Sequence, residues 1–459
     1  MPPTNVSVSF QEEFSEAAEL WNLNGLYLEL AKQKLTVNGR ETELTPVEKA
    51  CLRGLLCGYS PKEIAAFVHW TYGAISVELT KGLYRYVEAL TGRESNTLKT
   101  WRNIPKWLEA AGYKTPAPRQ DCEEALDVSA FYGRTEELNT LKQYIGNKGC
   151  RLVALLGMGG IGKTSLAAKL VQDMQGEFDF IVWRSLRHAP PLKQLLANLI
   201  PLLSQQPYSL LEDTNLLISQ FIECLRVRRC LVVFDDIEML MRSGNRAGYY
   251  REGCESYSEF MRQLSQQPHQ SCVIFNSWEK PLEMELLEKK TCYACSLKLD
   301  GLPFKVARQI LEAHNLSGIE TEWDQLIRIY GGNPLALNIA ATMIKEFFNS
   351  SISEFFSLNT LIISEPLKAI LFEHLSRLDS SERQVMCYLA AHHQPASLNQ
   401  LRNHFNFKEF APLDSACQLI NVLQSLERRS IIEKIANKSG IVFTLQPSVM
   451  KVTQEYCNV

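Results

Sequence analysis

Short apolar runs alternate with helix-length amphipathic segments through the middle of the chain. Five runs can be placed, at residues 152–156, 180–183, 231–234, 272–275 and 293–299. Apolar runs without polar interruption are typical of parallel strands that are buried on both faces of a sheet. The pattern therefore predicts an α/β fold, a parallel sheet with helices on both faces, in which a ligand binds at the carboxyl ends of the strands.

After Asp300 the apolar residues follow helical spacing. Residues 304–313 and 320–330 are predicted helices, and Pro334 begins another. Beyond residue 364 the signals are two capping boxes, a third helix and a hairpin turn, at Asp379 with Glu382, Ser397 with Gln400, residues 416–429 and residues 437–440. Three helices with a β-hairpin predict a winged helix.

The beginning of the chain carries a different pattern. Residues 8–23 are predicted as an amphipathic helix, and residues 26–37 and 40–44 as a β-hairpin around Asn38-Gly39. Helix starts follow at Thr45-Pro46 and at Ser60, where Glu63 completes a capping box. A turn near Gly73 precedes a longer helix at 75–90, and two helices joined in this way predict a helix-turn-helix.

These patterns divide the chain into six parts. The predicted parts are an N-terminal helix and hairpin (1–43), a helix-turn-helix domain (44–114), a Pro-rich acidic linker (115–130), an α/β domain (131–300), a helical domain (301–364) and a winged-helix domain (365–459).

Composition removes several classes of protein. The 459 residues carry a formal net charge of −3, so no bulk basic character argues for nucleic acid. The first ten residues are polar, and no apolar run is long enough to span a membrane, so neither secretion nor a membrane partner is expected. The 13 cysteines follow no framework spacing, which predicts reduced thiols and a cytoplasmic protein.

Residues 157–164, Gly-Met-Gly-Gly-Ile-Gly-Lys-Thr, form a phosphate-binding loop between the first apolar run and an amphipathic helix. Glycines let consecutive N–H groups face inward, and the helix N-terminus adds partial positive charge. Lys163 would neutralise the β- and γ-phosphates, and the Thr164 hydroxyl would bind Mg²⁺. The candidate nucleotide-binding residues here are Gly157, Gly159, Gly160, Ile161, Gly162, Lys163, Thr164 and Ser165.

Two carboxylates, Asp235 and Asp236, end the third apolar run. A carboxylate at this strand end can reach Mg²⁺ across from Thr164, directly or through water. The metal candidates are therefore Thr164 and Asp235, and Asp236 is the candidate catalytic residue.

Residues 131–456 resemble the NB-ARC module of STAND-type signalling NTPases, in the form common in cyanobacteria. The motifs that carry the resemblance occur in the family's order: Tyr132-Gly133-Arg134, the phosphate-binding loop, Leu-Val-Val-Phe-Asp-Asp ending at Asp236, residues 277–281, Gly331-Gly-Asn-Pro334 and the predicted winged helix. The resemblance implies ADP or ATP with Mg²⁺ as ligands. It also implies that Gly133 and Arg134 border the adenine and that Pro334 presses on it.

Two positions depart from the family pattern. Arg is usual after Ser277, where it senses the γ-phosphate, but this chain has Trp278, a neutral side chain. The histidine through which the family's winged helix contacts the β-phosphate aligns with Gln446, whose amide donates a hydrogen bond without charge assistance. Both departures predict diphosphate binding with a weakened response to the γ-phosphate.

The N-terminal part resembles the helix-turn-helix domain of proteins associated with von Willebrand A and MoxR systems, on Leu44-Thr-Pro-Val-Glu48, residues 58–65 and residues 103–113. We interpret the chain as a nucleotide switch whose exchange of ADP for ATP opens the domains and releases this module, through which it contacts a protein partner. Homo-oligomers of the active state are expected. The alternatives are a transcription regulator that binds DNA through this module and a working ATPase.

Overall fold

The computed structural model divides into two compact units, residues 1–118 and 119–459. The structure describes residues 13–14, 17, 21–38, 43–114, 119–122, 131–204, 213–358, 360–405, 415–437 and 440–457. Most of the predicted helix at 8–23 and most of the predicted linker lie outside the described residues.

The described residues of the first unit form helices joined by turns, with one isolated β-bridge between Trp21 and Lys114. Its helices are α1 (Leu23–Asn38), α2 (Pro46–Leu56), α3 (Pro61–Phe67), α4 (Tyr72–Glu78), a π-helical turn (Leu79–Leu83), α5 (Tyr84–Leu90) and α6 (Asn103–Ala110). The predicted starts of α2 and α3 are confirmed, because Thr45 and Ser60 each form a complete capping box. The predicted helix at 75–90 is present and begins three residues earlier.

The predicted hairpin in the first unit is wrong, because residues 23–38 form the helix α1. Leu26 and Leu30 are fully buried and Lys34 nearly so, a spacing of four residues that places all three on one helix face. The sequence prediction followed the alternation of polar and apolar residues and the Asn38-Gly39 signal. Packing of these three residues against the other helices outweighs the local preference for a hairpin.

The second unit contains the predicted parallel sheet, in the order β1-β3-β4-β5-β2-β6. Its strands are β1 (Arg119–Asp121), β2 (Leu152–Leu156), β3 (Phe180–Ser185), β4 (Cys230–Asp235), β5 (Cys272–Ser277) and β6 (Ala294–Lys298). All five predicted strands are present. An additional strand, β1, pairs with β3 at the edge of the sheet. β1 lies in the segment that the sequence assigned to the linker.

Helices cover both faces of the sheet and form two apolar cores with it. These helices are α7 (Thr135–Ile145), α8 (Lys163–Met174), α9 (Leu192–Ser204), α10 (Thr214–Val227), α11 (Ser256–Gln266) and α12 (Leu282–Lys290). We call residues 119–300 the sheet region. Its strands β2 and β4 end at the phosphate-binding loop and at Asp235, so the two predicted phosphate and metal motifs lie at the same edge.

The rest of the second unit is a helical region (residues 301–364) and a C-terminal region (residues 365–459). Their helices are α13 (Phe304–Ala313), α14 (Glu320–Ile329), α15 (Pro334–Phe347), α16 (Ile352–Ser357), α17 (Glu365–Ser376), α18 (Ser380–His392), α19 (Leu398–His404), α20 (Ser415–Arg428) and α21 (Pro447–Cys457). Both regions share one apolar core.

The C-terminal region also contains a small antiparallel sheet, β7-β9-β8. The strands are β7 (Ala396–Ser397), β8 (Glu433–Asn437) and β9 (Gly440–Thr444). The predicted hairpin and the two capping boxes of this region are confirmed.

A disulfide joins Cys387 of α18 to Cys457 of α21. The expectation that all cysteines are reduced is therefore wrong for this pair. It arose because the two residues are 70 positions apart, and only the packing of α21 on α18 brings them together. Among the described residues, no helix combines the length and the apolar character needed to cross a membrane.

A buried ionic cluster joins the sheet region to the C-terminal region. Arg429 donates to Glu279, which follows β5, at 2.7 Å and to Glu382 of α18 at 3.2 Å, and all three are at most 3% exposed. Glu279 also accepts from the Gly248 N–H at 2.9 Å. Burial raises the pKa of Glu382, and the Arg429 charge opposes that rise.

We predict that Arg429→Ala lowers the free energy of unfolding of the second unit by about 3 to 5 kcal/mol, because Glu382 loses its paired cation and Glu279 keeps only the more distant Arg377, at 3.7 Å. The measurement is urea denaturation followed by tryptophan fluorescence. Arg428→Ala is the matched control, since Arg428 pairs with Glu285 in a less buried setting, and should cost at most about 1 kcal/mol. Equal losses in the two variants would contradict this account of the cluster.

Candidate functional site

The phosphate-binding loop connects β2 to α8 and owes its shape to glycines. Gly157, Gly160 and Gly162 have φ of 148°, 75° and 99°, values that L side chains rarely adopt. In the first backbone hydrogen bond of α8, the Leu166 N–H donates to the Gly162 carbonyl oxygen at 3.0 Å. The N–H groups of residues 163–165 therefore have no carbonyl partner within the helix, and they form an anion-binding helix start.

Lys163 lies at the centre of this loop. Its Nζ donates to the carbonyl oxygens of Gly157 at 2.8 Å and Met158 at 3.1 Å. Burial lowers the pKa of Lys163, and the charges of Glu238, Asp235 and Asp236 oppose that shift. A buried ammonium group held only by two carbonyls favours binding of an anion at the same place.

The structure brings the predicted metal residues together. The Asp235 carboxylate is buried at the end of β4, and the Thr164 hydroxyl lies close enough to lower the pKa of this carboxylate. Burial and the neighbouring Asp236 charge raise the pKa of Asp235, while the Thr164 hydroxyl opposes the rise. A hydroxyl and a carboxylate oxygen at a phosphate-binding loop are the ligands that Mg²⁺ prefers, so these residues fit the ion that the sequence implies.

The structure directs Asp236 to a different neighbourhood. Its carboxylate accepts from the Ser185 hydroxyl at 2.7 Å and lies 3.6 Å from the Arg187 Nε, at the end of β3. The carboxylate that follows it on the same turn, Glu238, accepts from the Ser277 hydroxyl at 3.0 Å. Of the carboxylates that oppose the shift in the Lys163 pKa, Glu238 has the largest effect.

Arg134 joins three segments around the loop. Its guanidinium donates to Glu137 at 2.7 Å, to the Ile161 carbonyl at 3.0 Å and to the Asp300 carbonyl at 2.7 Å. Gly133 precedes it with φ of 62°, and a Cβ on Gly133 would lie 2.6 Å from the Val306 Cγ1. This close approach holds the segment before α7 against the helical region.

The loop opens into a cleft of about 420 Å³ between the sheet region and the helical region. The lining residues are Phe131, Tyr132, Arg134, Gly160, Ile161, Gly162, Lys163, Thr164, Ser165, Leu302, Ile310, Pro334, Leu335 and Asn338. Aromatic and aliphatic side chains at one end and helix-start amides at the other suit a ligand with a flat apolar part and phosphates. Pro334 is one of the residues that line this cleft.

Two residues hold Pro334 at the loop. Asn333 caps α15 through the N–H groups of Leu335 and Ala336, and its Nδ2 donates to the Gly159 carbonyl at 2.9 Å. The Leu335 N–H donates to the Gly160 carbonyl at 3.3 Å. The sequence indicates that Asn333 caps α15, because Asn before Pro is typical of a helix start. It does not indicate that the Asn333 amide donates to the Gly159 carbonyl.

Gln446 does not line this cleft. A Cβ on Gly331 would lie 2.3 Å from the Gln446 Oε1, so the side chain packs on Gly331. It faces a separate cleft of about 440 Å³, which also includes Met158 and Ile161.

Sequence reasoning missed His374 of α17, which reaches the loop instead. The Gly159 N–H donates to its Nε2 at 3.3 Å. Its ring packs edge to face on Trp278. Burial lowers the pKa of His374 well below its usual range, and the charges of Lys163, Arg377 and Arg429 act in the same direction. No local motif marks this histidine, because the contact joins positions 215 residues apart.

Comparison with known proteins agrees with this geometry. The NB-ARC domain family model matches residues 134–242, a range that contains the phosphate-binding loop and Asp235. An uncharacterized WD repeat-containing protein of Nostoc sp. is 38% identical over 351 residues, 74% of this chain. The chain spans 27% of that relative's length. The family model therefore covers part of the sheet region and includes both motifs of the candidate site.

Solved structures of related fold include two archaeal proteins. A Walker-type ATPase of Pyrococcus abyssi is 16% identical, with a TM-score of 0.47 over 73% of this chain and 98% of that chain. A signal transduction ATPase with numerous domains and a tetratricopeptide repeat sensor, from Pyrococcus horikoshii, is 17% identical, with a TM-score of 0.34 over 73% of this chain and 44% of that chain.

We predict a pH dependence that comes from Glu238. Burial raises its pKa to about 7 from an ordinary 4.5, so the folded state holds a proton that the unfolded state releases between these values. The raised pKa therefore lowers stability as pH rises from about 4.5 to 7, and the loss is complete above 7. Glu238→Gln should remove this loss, which gives a gain over wild type at pH 8 that is absent at pH 4.5.

The measurement is denaturant unfolding across that pH range, without nucleotide or Mg²⁺. Glu238→Gln keeps an acceptor for the Ser277 hydroxyl, so a change in packing does not explain a pH-dependent difference. A difference between the two proteins that is constant with pH would contradict the raised pKa.

Proposed function

We propose that this protein is a nucleotide-dependent signalling switch of the NB-ARC type, which binds ADP or ATP with Mg²⁺ in the cleft at the phosphate-binding loop. The observation that carries the proposal is the double contact at Gly159. Asn333 of the helical region binds its carbonyl, and His374 of the C-terminal region binds its N–H. A ligand that fixes this loop therefore acts on both regions that follow the sheet.

The bound nucleotide would lie with its phosphates on the amides of residues 163–165 and with its base between Tyr132 and Pro334. Lys163 would bind the phosphates, and Thr164 with Asp235 would hold Mg²⁺. Gly133 and Arg134 would shape the end of the cleft that receives the base. Exchange of ADP for ATP would release the C-terminal region from the loop, and the N-terminal unit would then engage its partner. We place this switch in the cytoplasm and expect the released form to associate with further copies.

The alternative of a working ATPase has less support. Catalysis of phosphoryl transfer depends on positive charge at the γ-phosphate, and Trp278 stands where the family has Arg. Asp236, the candidate catalytic residue, faces Ser185 and Arg187. We therefore expect turnover far below the roughly 1 to 100 per second of dedicated phosphoryl-transfer enzymes.

The first unit supports a protein partner over DNA. Four of its exposed apolar side chains lie on α3, on α4 or in the turn between them, namely Phe67, Trp70, Tyr72 and Val77, each at least 42% exposed. Aromatic residues on an exposed surface are typical of protein contacts. The helix that would have to enter a major groove offers few basic side chains to DNA, because Arg85 is bound to Glu88 and Asn96 within the unit. Lys81 is the one other base of residues 72–90, and it is exposed.

We predict that Lys163→Ala removes the rise in melting temperature that ADP with Mg²⁺ gives to the wild-type protein. The variant loses a charge-assisted contact worth roughly 1.5 to 3 kcal/mol. Lys169→Ala is the matched control, since Lys169 lies on the same helix but pairs with Asp173 at its surface. An ADP-dependent shift that survives in Lys163→Ala would contradict the site.

We also predict that the full-length chain does not bind DNA selectively. The measurement is the affinity for genomic fragments between about 50 and 200 mM salt, where phosphate contacts show a steep salt dependence. Lys81→Ala should leave any residual binding unchanged. Sub-micromolar, sequence-selective binding that weakens steeply with salt and with Lys81→Ala would instead favour the transcription regulator.

A further inference from the structure

His374 occupies a position where the loop and the C-terminal region meet with no room between them. A Cβ built on Gly159 would lie 2.8 Å from the His374 Nε2 and 3.2 Å from the Ile370 Cγ2. On its other side the imidazole contacts the Trp278 ring. The ring is 4% exposed. Any group that enters at Gly159 must therefore displace it.

The chemistry of the contact makes His374 a competitor of phosphate. Its Nε2 accepts a hydrogen bond from the Gly159 N–H, so this nitrogen carries a lone pair and no proton. A phosphate oxygen is also an acceptor and carries negative charge. The two cannot use the same N–H, and their lone pairs repel one another at close range.

The position of Gly159 decides which phosphate meets this competitor. The amides of residues 163–165, at the start of α8, are not used by His374, and they can hold the phosphates of a diphosphate. Lys163, the loop side chain that serves the β- and γ-phosphates, is bound to the carbonyls of Gly157 and Met158, directly before Gly159. Its charge also acts on His374. The imidazole therefore lies at the end of the phosphate-binding loop that a terminal phosphate would use.

We propose that His374 makes the closed arrangement selective for a nucleoside diphosphate over a triphosphate, by holding the Gly159 N–H and the space beside it. This inference rests on the proposed nucleotide site. Binding of a third phosphate displaces the imidazole from Gly159. Because His374 is carried by α17, its displacement loosens the contact of the C-terminal region with the loop. His374 is therefore a specificity-determining residue, and the C-terminal region supplies it.

The test compares the Kd for Mg²⁺-ADP with that for Mg²⁺ and the non-hydrolysable β,γ-imido analogue of ATP, by titration calorimetry on the full-length chain. The wild type should prefer ADP. His374→Ala should reduce this preference by about 10-fold, the value of one charge-assisted hydrogen bond, mainly through tighter binding of the triphosphate. His374→Gln places an acceptor of similar reach at Gly159 and should retain the preference.

His393→Asn is the matched control, because His393 lies exposed in the same region with φ of 54°, which Asn tolerates, and should leave both affinities unchanged. If His374→Ala proves insoluble, His374→Asn, which is one carbon shorter than Gln, gives the same comparison. If the affinities for both nucleotides fall by the same factor in these variants, His374 has only a packing role and the inference is overturned. A wild type that binds neither nucleotide would instead refute the proposed function, whereas binding of both with an unaltered ratio refutes the role of His374 alone.

Discussion

One residue of the phosphate-binding loop is hydrogen-bonded to both regions that follow the sheet. Gly159 gives its carbonyl to Asn333 and its N–H to His374. Both partners are at most 4% exposed, so water does not readily replace either bond. Loss of a buried partner without replacement costs about 1 to 3 kcal/mol. The positions of two regions consequently depend on the backbone of a loop whose conformation phosphate would set.

The interfaces of the C-terminal region differ in kind. With the helical region it shares a single apolar core, to which the loop contributes Met158. With the sheet region it makes polar contacts, through Arg377 to the Glu238 and Met241 carbonyls and through Arg429 to Glu279. Separation of buried ion pairs returns both charges to water, so such contacts specify a geometry and add little net stability. Separation of the polar interface would therefore cost less than separation of the shared apolar core.

Local signals in the sequence were enough for much of this fold. Strand positions follow from the apolar runs, and the starts of α2, α3, α18 and α19 follow from capping boxes that act within four residues. The loop, Thr164 and Asp235 follow from motif spacing, because parallel strands place their ends together. Helix α1 was missed where a weak alternation pointed to strands. His374, the Cys387–Cys457 disulfide and the cluster at Arg429 were missed because each depends on packing between distant elements.

Trp278 gains a role in the closed form that its neutral side chain alone did not suggest. It lies between His374 and Arg377, whose guanidinium carbon is 5.8 Å from the indole centroid. Within the described residues, its Nε1 and the Arg377 Nε have no hydrogen-bond partner, and both side chains line a cavity of about 10 Å³, close to the size needed for one water. An arginine at this position would add a cation beside Arg377, Arg429 and Lys163, where like charges repel. The indole instead shields the imidazole, and burial among cations keeps His374 an acceptor for Gly159. The departure from the family's arginine and the presence of His374 are therefore two parts of one arrangement.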